Sequence, residues 1–242
     1  MQLSKVIGHR GAAGLAPENT LASIRAAAEV GVKWVEIDVY PIAQGGLVIF
    51  HDDTLERCTN GSGLTLDANL ETILSLDAGA WFGEAHLGEK VPTLEQALDC
   101  IQSLGLGLNL EIKYEGADVE AVVPPILAVL AERWQDNEKL LVSSFNYAAL
   151  EMCFKVNPLR HLAYLVEEVP SDWLLKLAAI QAYSLNCYYL PLTEEQAVAV
   201  KSAGYKLLCY TANEPDLVAQ HWEWGMDAVI TDDPRQFMHL EH

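Results

Sequence analysis

The chain has 242 residues, 51% of them hydrophobic and 20% charged, without a low-complexity tract, a composition that excludes collagen-like and disordered proteins. A chain of this length buries roughly 70 to 75% of its unfolded surface, which suits one large domain or two small ones. Fifteen basic residues against 34 acidic ones give a formal charge of −19, which predicts no nucleic-acid partner and no stable association with anionic membranes.

Short β-branched runs alternate with amphipathic stretches of ten or more residues, a pattern that predicts parallel strands joined by helices. The expected strands are 6–9, 34–39, 108–113, 140–145, 162–166, 182–186, 206–211 and 228–231. The expected helices are 20–30, 94–104, 119–134, 193–203 and 215–224. Two capping-box pairs mark helix starts, Thr93 with Gln96 and Thr193 with Gln196.

Eight strand-and-helix units in about 250 residues match the count and size of a (β/α)₈ TIM barrel. An open doubly wound sheet is the alternative. The barrel predicts that the functional groups lie at the C-terminal ends of the strands. We expect one barrel domain over 1–239, with a hairpin and an irregular insertion (52–92) after the second strand.

The second predicted strand alternates acidic and apolar residues. A period of two points Glu36 and Asp38 to the same face. That face is either exposed to solvent or the mouth of a barrel, where a divalent cation neutralises the pair. The pair alone leaves both interpretations open.

The third predicted strand also alternates charged and apolar residues, which places Glu111 and Lys113 on one face. An internal ion pair is the simpler interpretation. Both strands nevertheless carry their charges near the C-terminal end, where barrel enzymes keep their sites, and together they supply three carboxylates. Three oxygen ligands favour Mg²⁺ or Ca²⁺, with Mn²⁺ as a further option, over Zn²⁺.

A hairpin follows the second strand. If residues 45–46 form a two-residue turn, His51 pairs with Tyr40 and shares the face of the acidic pair. A slip of one residue would turn His51 away. Pro41 indicates that the hairpin lies at a sheet edge.

The first strand ends in Gly8-His9-Arg10-Gly11. A turn explains the glycines by themselves. It does not explain an imidazole and a guanidinium at the barrel mouth, where they are suited to meet a phosphate and its leaving group.

These motifs, taken together, resemble a known family, the glycerophosphodiester phosphodiesterases. They follow the family's order over nearly the whole chain: HRG (9–11), PENT (17–20), ExD (36–38), HDDTL (51–55), EIK (111–113) and TD (231–232). The cytosolic bacterial members are the most similar. Two segments depart from the family pattern, YTAN at 210–213 and the turn at 40–46, and both bear on substrate preference.

The resemblance implies a (β/α)₈ barrel that hydrolyses glycerophosphodiesters to sn-glycerol 3-phosphate and an alcohol with the help of a divalent cation. It makes Glu36, Asp38 and Glu111 the metal ligands. It makes His9 and His51 the general base and general acid. The nucleophile is either water or the glycerol 2-hydroxyl.

The resemblance also implies how an acidic protein binds an anionic diester, because Arg10 and Lys113 would hold phosphate oxygens beside the cation. Asn186 and Tyr210, at the ends of later strands, are expected to line the alcohol pocket. The aromatic pair Trp81-Phe82 is either core or helix packing or a substrate lid. The acidic pair 167–168 is expected on a solvated face.

Two other functions fit parts of the pattern. A lysophospholipase D or a phosphoinositide-type phospholipase C would need an apolar rim for an acyl chain and suits a charge of −19 poorly. A noncatalytic barrel that senses a phosphorylated metabolite needs no pair of histidines. The small-molecule glycerophosphodiester is therefore the expected partner.

The termini and the cysteines bear on the compartment. Residues 1–8 do not combine a basic region with a long apolar stretch, so no signal peptide is expected. The five cysteines are never spaced as CxxC, which favours free thiols in a reducing compartment. We expect a cytoplasmic protein. Residues 240–242 resemble the start of a vector-encoded His tag, and His242 is excluded as a ligand.

Overall fold

A closed barrel of parallel strands forms the centre of the molecule. The structure, a computed structural model, describes residues 1, 3–113 and 118–241. The strands in this part are β1 (Val6–Gly8), β2 (Trp34–Pro41), β3 (Leu47–Ile49), β4 (Gly107–Ile112), β5 (Leu140–Ser144), β6 (His161–Val166), β7 (Ser184–Tyr188), β8 (Lys206–Tyr210) and β9 (Ala228–Thr231). All but β3 pair in parallel, and β1 pairs with both β2 and β9. The sheet is therefore closed, which confirms the TIM barrel and excludes the open sheet.

Helices connect successive strands. They are α1 (Leu21–Val30), α2 (Leu70–Ser75), α3 (Leu94–Ser103), α4 (Val119–Arg133), α5 (Tyr147–Val156), α6 (Trp173–Ala179), α7 (Glu194–Ser202) and α8 (Ala219–Glu223). The predicted capping boxes at Thr93 and Thr193 are confirmed. The helix expected over 215–224 begins as a 3₁₀ turn, Pro215–Val218, and continues as α8. In the described ranges, none of the helices has both the length and the apolar character needed to cross a bilayer.

The barrel interior is apolar toward the N-terminal ends of the strands and polar above them. The apolar cluster consists of Ile7, Trp34, Leu141, Ala163, Leu208, Ala228 and Ile230. The fully buried polar side chains above it include Asn109, Ser143 and Asn186. A separate, larger cluster fills the space between the strands and the helices. The polar groups of the interior are thus directed to the C-terminal mouth.

Trp34 closes the lower end of the barrel against β4. It pairs in register with Gly107, and a Cβ atom at Gly107 would lie 2.4 Å from the Trp34 ring. Any side chain at position 107 would displace the indole, so packing rather than backbone conformation requires the glycine.

The hairpin after β2 has a different register from the predicted one. Tyr40 pairs with Val48 and not with His51, so the prediction of a two-residue turn at 45–46 is wrong. The connection is longer because Ala43–Gly45 forms a 3₁₀ turn. The predicted edge position is confirmed, since β3 pairs only with β2 in the described sheet.

The insertion after β3 packs on the hairpin as a small cluster of its own. It includes α2 and a 3₁₀ turn at Glu84–His86. The cluster contains Tyr40, Ile42, Val48, Phe50, Leu55, Cys58, Ile73, Ala78 and Val91. The hairpin and the insertion therefore share a core that is separate from the two barrel clusters.

Gly107→Ala tests the packing of the barrel floor. We expect it to lower the free energy of unfolding by about 2 to 3 kcal/mol, because the added methyl overlaps the Trp34 ring. Urea unfolding followed by fluorescence measures the change. Gly83→Ala is the matched control, since its Cβ meets nothing within 4 Å and a change within about 0.5 kcal/mol is expected there. Equal effects in the two variants would contradict the packing argument.

Candidate active site

The acidic side chains of β2 and β4 meet inside the barrel mouth. The parallel register sets Asp38 beside Glu111, and Glu36 lies on the same face of β2. One oxygen from each of the three carboxylates lies within 4.8 Å of the other two. Glu36 and Asp38 are buried. The face of β2 that carries them is therefore the one directed into the barrel, and the solvent-exposed interpretation is excluded.

Burial and mutual repulsion set the charge state of these three carboxyl groups, the acidic triad. Burial raises the pKa of Glu36 well above its usual range, and the charges of Asp38 and Glu111 raise it further. Burial also raises the pKa of Glu111 to about 7. Burial acts in the same direction on Asp38, but the charges of Arg10 and Lys113 help to hold the Asp38 pKa below its usual value.

The acidic triad fits a divalent cation. All three donors are carboxylate oxygens, which hard cations such as Mg²⁺ and Ca²⁺ prefer. Oε1 of Glu36 is buried and has no hydrogen-bond partner within the described ranges. A buried, unpartnered carboxylate oxygen among like charges is costly unless a positive group satisfies it.

Asn19 fixes Asp38 through both atoms of its amide. Its Nδ2 donates to Oδ2 of Asp38 at 2.7 Å, and the Asp38 backbone N–H donates to Asn19 Oδ1 at 3.2 Å. Asn19 has a φ of 56°, a left-handed conformation that Asn tolerates better than most residues. The sequence placed Asn19 in the motif PENT but assigned no role to it. Its position directly before Thr20, the N-cap of α1, is the signal that could have marked the turn.

Arg10 connects the first strand to the triad. Its backbone N–H donates to Glu36 Oε2 at 3.0 Å, while its guanidinium donates to Glu18 at 2.5 Å and lies 3.5 Å from Asp38. The next residue, Gly11, has a φ of 86°, and a Cβ there would lie 2.4 Å from the hydroxyl of Ser23. A glycine is therefore required for the turn that brings the Arg10 N–H to Glu36.

His9 is held by a carboxylate on the last strand. Its Nδ1 lies 2.6 Å from Oδ1 of Asp232, and its Nε2 lies 3.9 Å from Glu36. Asp232 accepts from the Asn213 amide at 2.8 Å and donates its backbone N–H to Asn213 at 2.9 Å. This support directs Nε2 of His9 toward the triad. The sequence placed Asp232 only in a motif, and it placed Asn213 only in the segment 210–213 that departs from the family pattern.

His51 has a similar support on the opposite side of the site. Its Nδ1 lies 2.7 Å from Oδ1 of Asp52, and Asp52 accepts two hydrogen bonds from Arg57. Arg57 also donates to Glu18 at 2.7 Å. Burial lowers the pKa of His51, against the charge of Asp38. Arg57 is a further residue that sequence reasoning missed.

The corrected hairpin register still brings His51 to the mouth. The backbone N–H of Phe50 donates to the Asp38 carbonyl at 3.0 Å, beyond the last paired residue of β3. This bond ties the residue before His51 to the acidic strand. The side chain of His51 consequently lines the same cavity as His9.

The site residues surround a cavity of about 270 Å³ at the barrel mouth. Its polar lining is His9, Arg10, Glu36, His51, Asn109, Glu111 and Thr211. Its apolar lining is Phe145, Leu165, Tyr188, Tyr210 and Ile230. A wider cleft of about 640 Å³ adjoins it at His9 and Arg10, with Trp81 and Glu214 in its wall.

Of the remaining predicted site residues, Lys113 and Tyr210 lie at the site and Asn186 does not. Nζ of Lys113 lies 3.1 Å from Glu111, next to the triad, and Tyr210 lines the cavity. Asn186 does not belong to the cavity lining in the described structure; it is fully buried deeper in the barrel and accepts from Ser184 at 2.7 Å. Strand β7 extends to Tyr188, which takes the rim position expected for Asn186.

The histidines without a predicted role have structural contacts or surface positions. His221 is buried, with Nε2 2.9 Å from the Tyr189 carbonyl oxygen. His161 lies 3.5 Å from Glu138, and His239 is exposed. His242 lies outside the described residues.

Comparisons with known proteins identify relatives over the full length of the chain. The sequence profile described as Glycerophosphoryl diester phosphodiesterase family matches residues 9–236. A glycerophosphodiester phosphodiesterase of Caldanaerobacter subterraneus subsp. tengcongensis is 34% identical over 236 residues, or 97% of this chain and 96% of that protein.

Solved structures agree with this result. A phosphodiesterase from Oleispira antarctica, in complex with the product sn-glycerol-3-phosphate, is 40% identical with a TM-score of 0.95 and covers 98% of this chain and 96% of its own. A glycerophosphodiester phosphodiesterase from Agrobacterium tumefaciens is 25% identical with a TM-score of 0.81 over 98% of this chain and 100% of its own.

The closed barrel and its charged C-terminal mouth place the protein among the TIM-barrel enzymes. The chain belongs to the glycerophosphoryl diester phosphodiesterase family, as its motifs predict. It is accordingly an enzyme of the phosphoric diester hydrolase class.

Glu36→Gln tests the repulsion within the triad. In EDTA at pH 8 we expect the variant to be more stable than the wild type by about 1 kcal/mol, because a neutral amide replaces one of three buried like charges. For a domain of this size, that gain raises Tm by about 2 to 4 °C. Glu29→Gln on the exposed side of α1 is the control and should leave Tm unchanged. A lower Tm for Glu36→Gln would contradict the electrostatic argument.

Proposed function

We propose that this enzyme hydrolyses glycerophosphodiesters to sn-glycerol 3-phosphate and an alcohol, with a divalent cation at the acidic triad and with His9 and His51 as the proton-transfer groups. The observation that carries the proposal is that the triad and two carboxylate-supported imidazoles converge on one cavity. The product bound to the Oleispira antarctica phosphodiesterase supports the choice of substrate class.

Glu36, Asp38 and Glu111 would hold the cation. When bound, it supplies Lewis acidity to a phosphate oxygen and offsets negative charge in the transition state. The all-oxygen donor set favours Mg²⁺, Ca²⁺ or Mn²⁺ over Zn²⁺. The unpartnered oxygen of Glu36 supports a cation at this position.

Arg10 and Lys113 would bind the other phosphate oxygens. Arg10 lines the cavity, and the Lys113 ammonium lies beside Glu111. Each has carboxylate neighbours that hold it in place and keep it protonated. Two fixed cations next to the triad concentrate positive charge locally in a chain with a formal charge of −19.

The two imidazoles would move the protons. In each, Nδ1 is paired with a carboxylate, which leaves Nε2 free to face the substrate. We assign His9 as the base that takes the proton of the nucleophile and His51 as the acid that protonates the departing alkoxide. Burial lowers the pKa of His51 in the free enzyme, and the negative charge of a bound diester acts in the opposite direction.

Asp232 and Asp52 would act as positioning residues. Each carboxylate accepts a hydrogen bond from an imidazole Nδ1–H, which fixes the tautomer and the ring orientation. The overall reaction consumes one water, breaks the bond between phosphorus and the alcohol oxygen, and leaves a phosphate monoester.

We further propose that residues 1–239 act as one catalytic domain in the cytoplasm on a small-molecule substrate. All five cysteines are free thiols, four of them buried, which supports a reducing compartment. The Caldanaerobacter subterraneus glycerophosphodiester phosphodiesterase, which matches over 97% of this chain and 96% of its own length, supports a single catalytic domain.

Removal of divalent cations is expected to abolish turnover. Release of glycerol 3-phosphate from glycerophosphocholine, followed by a coupled dehydrogenase assay, should fall to background in EDTA and return saturably with Mg²⁺, Ca²⁺ or Mn²⁺. The same cations should raise the Tm of the wild type but not of Glu36→Gln. Full activity in EDTA after exhaustive dialysis would exclude the metal-dependent mechanism.

His9→Ala and His51→Ala are each expected to lower kcat by roughly 10² to 10⁴-fold, the usual contribution of a general acid or base. Circular dichroism checks that both variants are folded. His239→Ala, at an exposed position, is the control and should retain wild-type kcat. Substantial activity of either active-site variant on glycerophosphocholine or glycerophosphoethanolamine would remove that histidine from the mechanism.

A further inference from the structure

One side of the cavity is built from aromatic rings. Phe145 follows β5, Tyr188 ends β7 and Tyr210 ends β8, and we call these three residues the aromatic wall. In the closed order of the barrel, β7 lies across from β2 and β8 lies across from β4. Tyr188 and Tyr210 therefore face the acidic triad across the mouth, while Phe145 follows the strand next to β4.

The rings of the aromatic wall are arranged at two orientations. Tyr188 and Tyr210 pair in register on neighbouring strands, and their rings stack at 6.2 Å with an angle of 29°. Phe145 meets Tyr210 edge to face at 6.1 Å and 83°. The Tyr210 hydroxyl donates to the Val166 carbonyl at 2.9 Å, which fixes that ring. The result is a corner of aromatic surfaces at the rim.

Negative charge lies close to this corner. Glu167 directly follows Val166, and Tyr188 also borders a groove that contains Glu167 and Glu168. Burial raises the pKa of Tyr210, and the charges of Glu111 and Glu167 add to that rise. Both residues of the 167–168 pair are exposed, so solvent screens them and the ring faces supply most of the attraction for a cation.

We propose that the aromatic wall binds the leaving alcohol and selects a quaternary ammonium group of the choline type. This inference rests on the proposed function, because it assigns the second arm of the diester. A quaternary ammonium carries charge but no N–H, and aromatic faces are the surfaces that recognise it. A polyol such as inositol would lose its hydrogen bonds to water against these rings without replacement.

The charge distribution across the cavity matches such a substrate. Arg10 and Lys113 lie beside the triad, where the phosphate is expected, while Tyr188, Tyr210 and Glu167 lie on the far side. A choline diester carries its negative and positive groups in the same order.

A pair of substrates isolates the charge of the head group. One is glycerophosphocholine, and the other is its neutral isostere, in which 3,3-dimethylbutanol replaces choline. We expect the wild type to prefer the charged substrate by about tenfold in kcat/KM, within the range of cation–π energies. The intrinsic difference in leaving-group reactivity is common to all variants, so the change in this ratio between variants is the measured quantity.

Tyr188→Leu is expected to lower the ratio several-fold, and Phe145→Leu, at an exposed position, should lower it in the same direction with less risk to folding. Tyr188→Phe keeps the ring and should preserve the ratio. Trp81→Leu is the matched control, because it removes an exposed aromatic ring from the adjoining cleft. Its ratio should equal that of the wild type.

Three outcomes would overturn the inference. Equal losses for both substrates in Tyr188→Leu would place the glycerol arm at the aromatic wall. Unchanged kcat/KM values for both substrates in Tyr188→Leu and Phe145→Leu would show that the wall contacts neither arm. A collapse of the ratio in Trp81→Leu would place the head group in the adjoining cleft. If the metal-loaded wild type released glycerol 3-phosphate from neither substrate, the proposed function itself would fail, and this inference with it.

Discussion

The burial of three carboxylates at the barrel mouth determines how the rest of the site is arranged. Like charges within 4.8 Å of one another destabilise a folded protein unless positive or hydrogen-bond-donating groups compensate. The backbone N–H of Arg10, the amide of Asn19 and the ammonium of Lys113 each contact one of the three acids. Arg10 and Lys113 are also the residues proposed to bind phosphate oxygens, so two of the side chains that neutralise the buried acids serve the proposed substrate as well.

A second layer of charged residues holds the first in place. Glu18 accepts hydrogen bonds from both Arg10 and Arg57, and Arg57 in turn holds the carboxylate that supports His51. Glu18 thereby joins the loop after β1 to the insertion after β3. Surface ion pairs are usually weak, but this chain of contacts is half-buried and shares its members, so each side chain restricts its neighbour.

Local sequence rules predicted the features that follow from the regular geometry of a strand or a helix. The alternation in β2 and β4 placed the acids on one face because side chains on a strand repeat every two residues. The hairpin register was wrong because the turn uses a left-handed Gln44, with φ of 62°, which a glycine-based rule does not anticipate. Asn186 was misplaced because β7 ends two residues later than predicted, at Tyr188. Asn213 and Arg57 act through contacts between distant segments, which no local pattern encodes.

The two imidazoles are carried by units of different size. His9 stands at the end of a barrel strand that is paired on both sides, whereas His51 follows an edge strand whose hairpin packs in the small cluster with the insertion. Segments with fewer packed neighbours open at a lower free energy than the whole domain. The amide protons of the insertion can therefore exchange faster than those of the barrel strands. The position of His51 at the cavity depends on the packing of a few apolar side chains that lie outside the barrel.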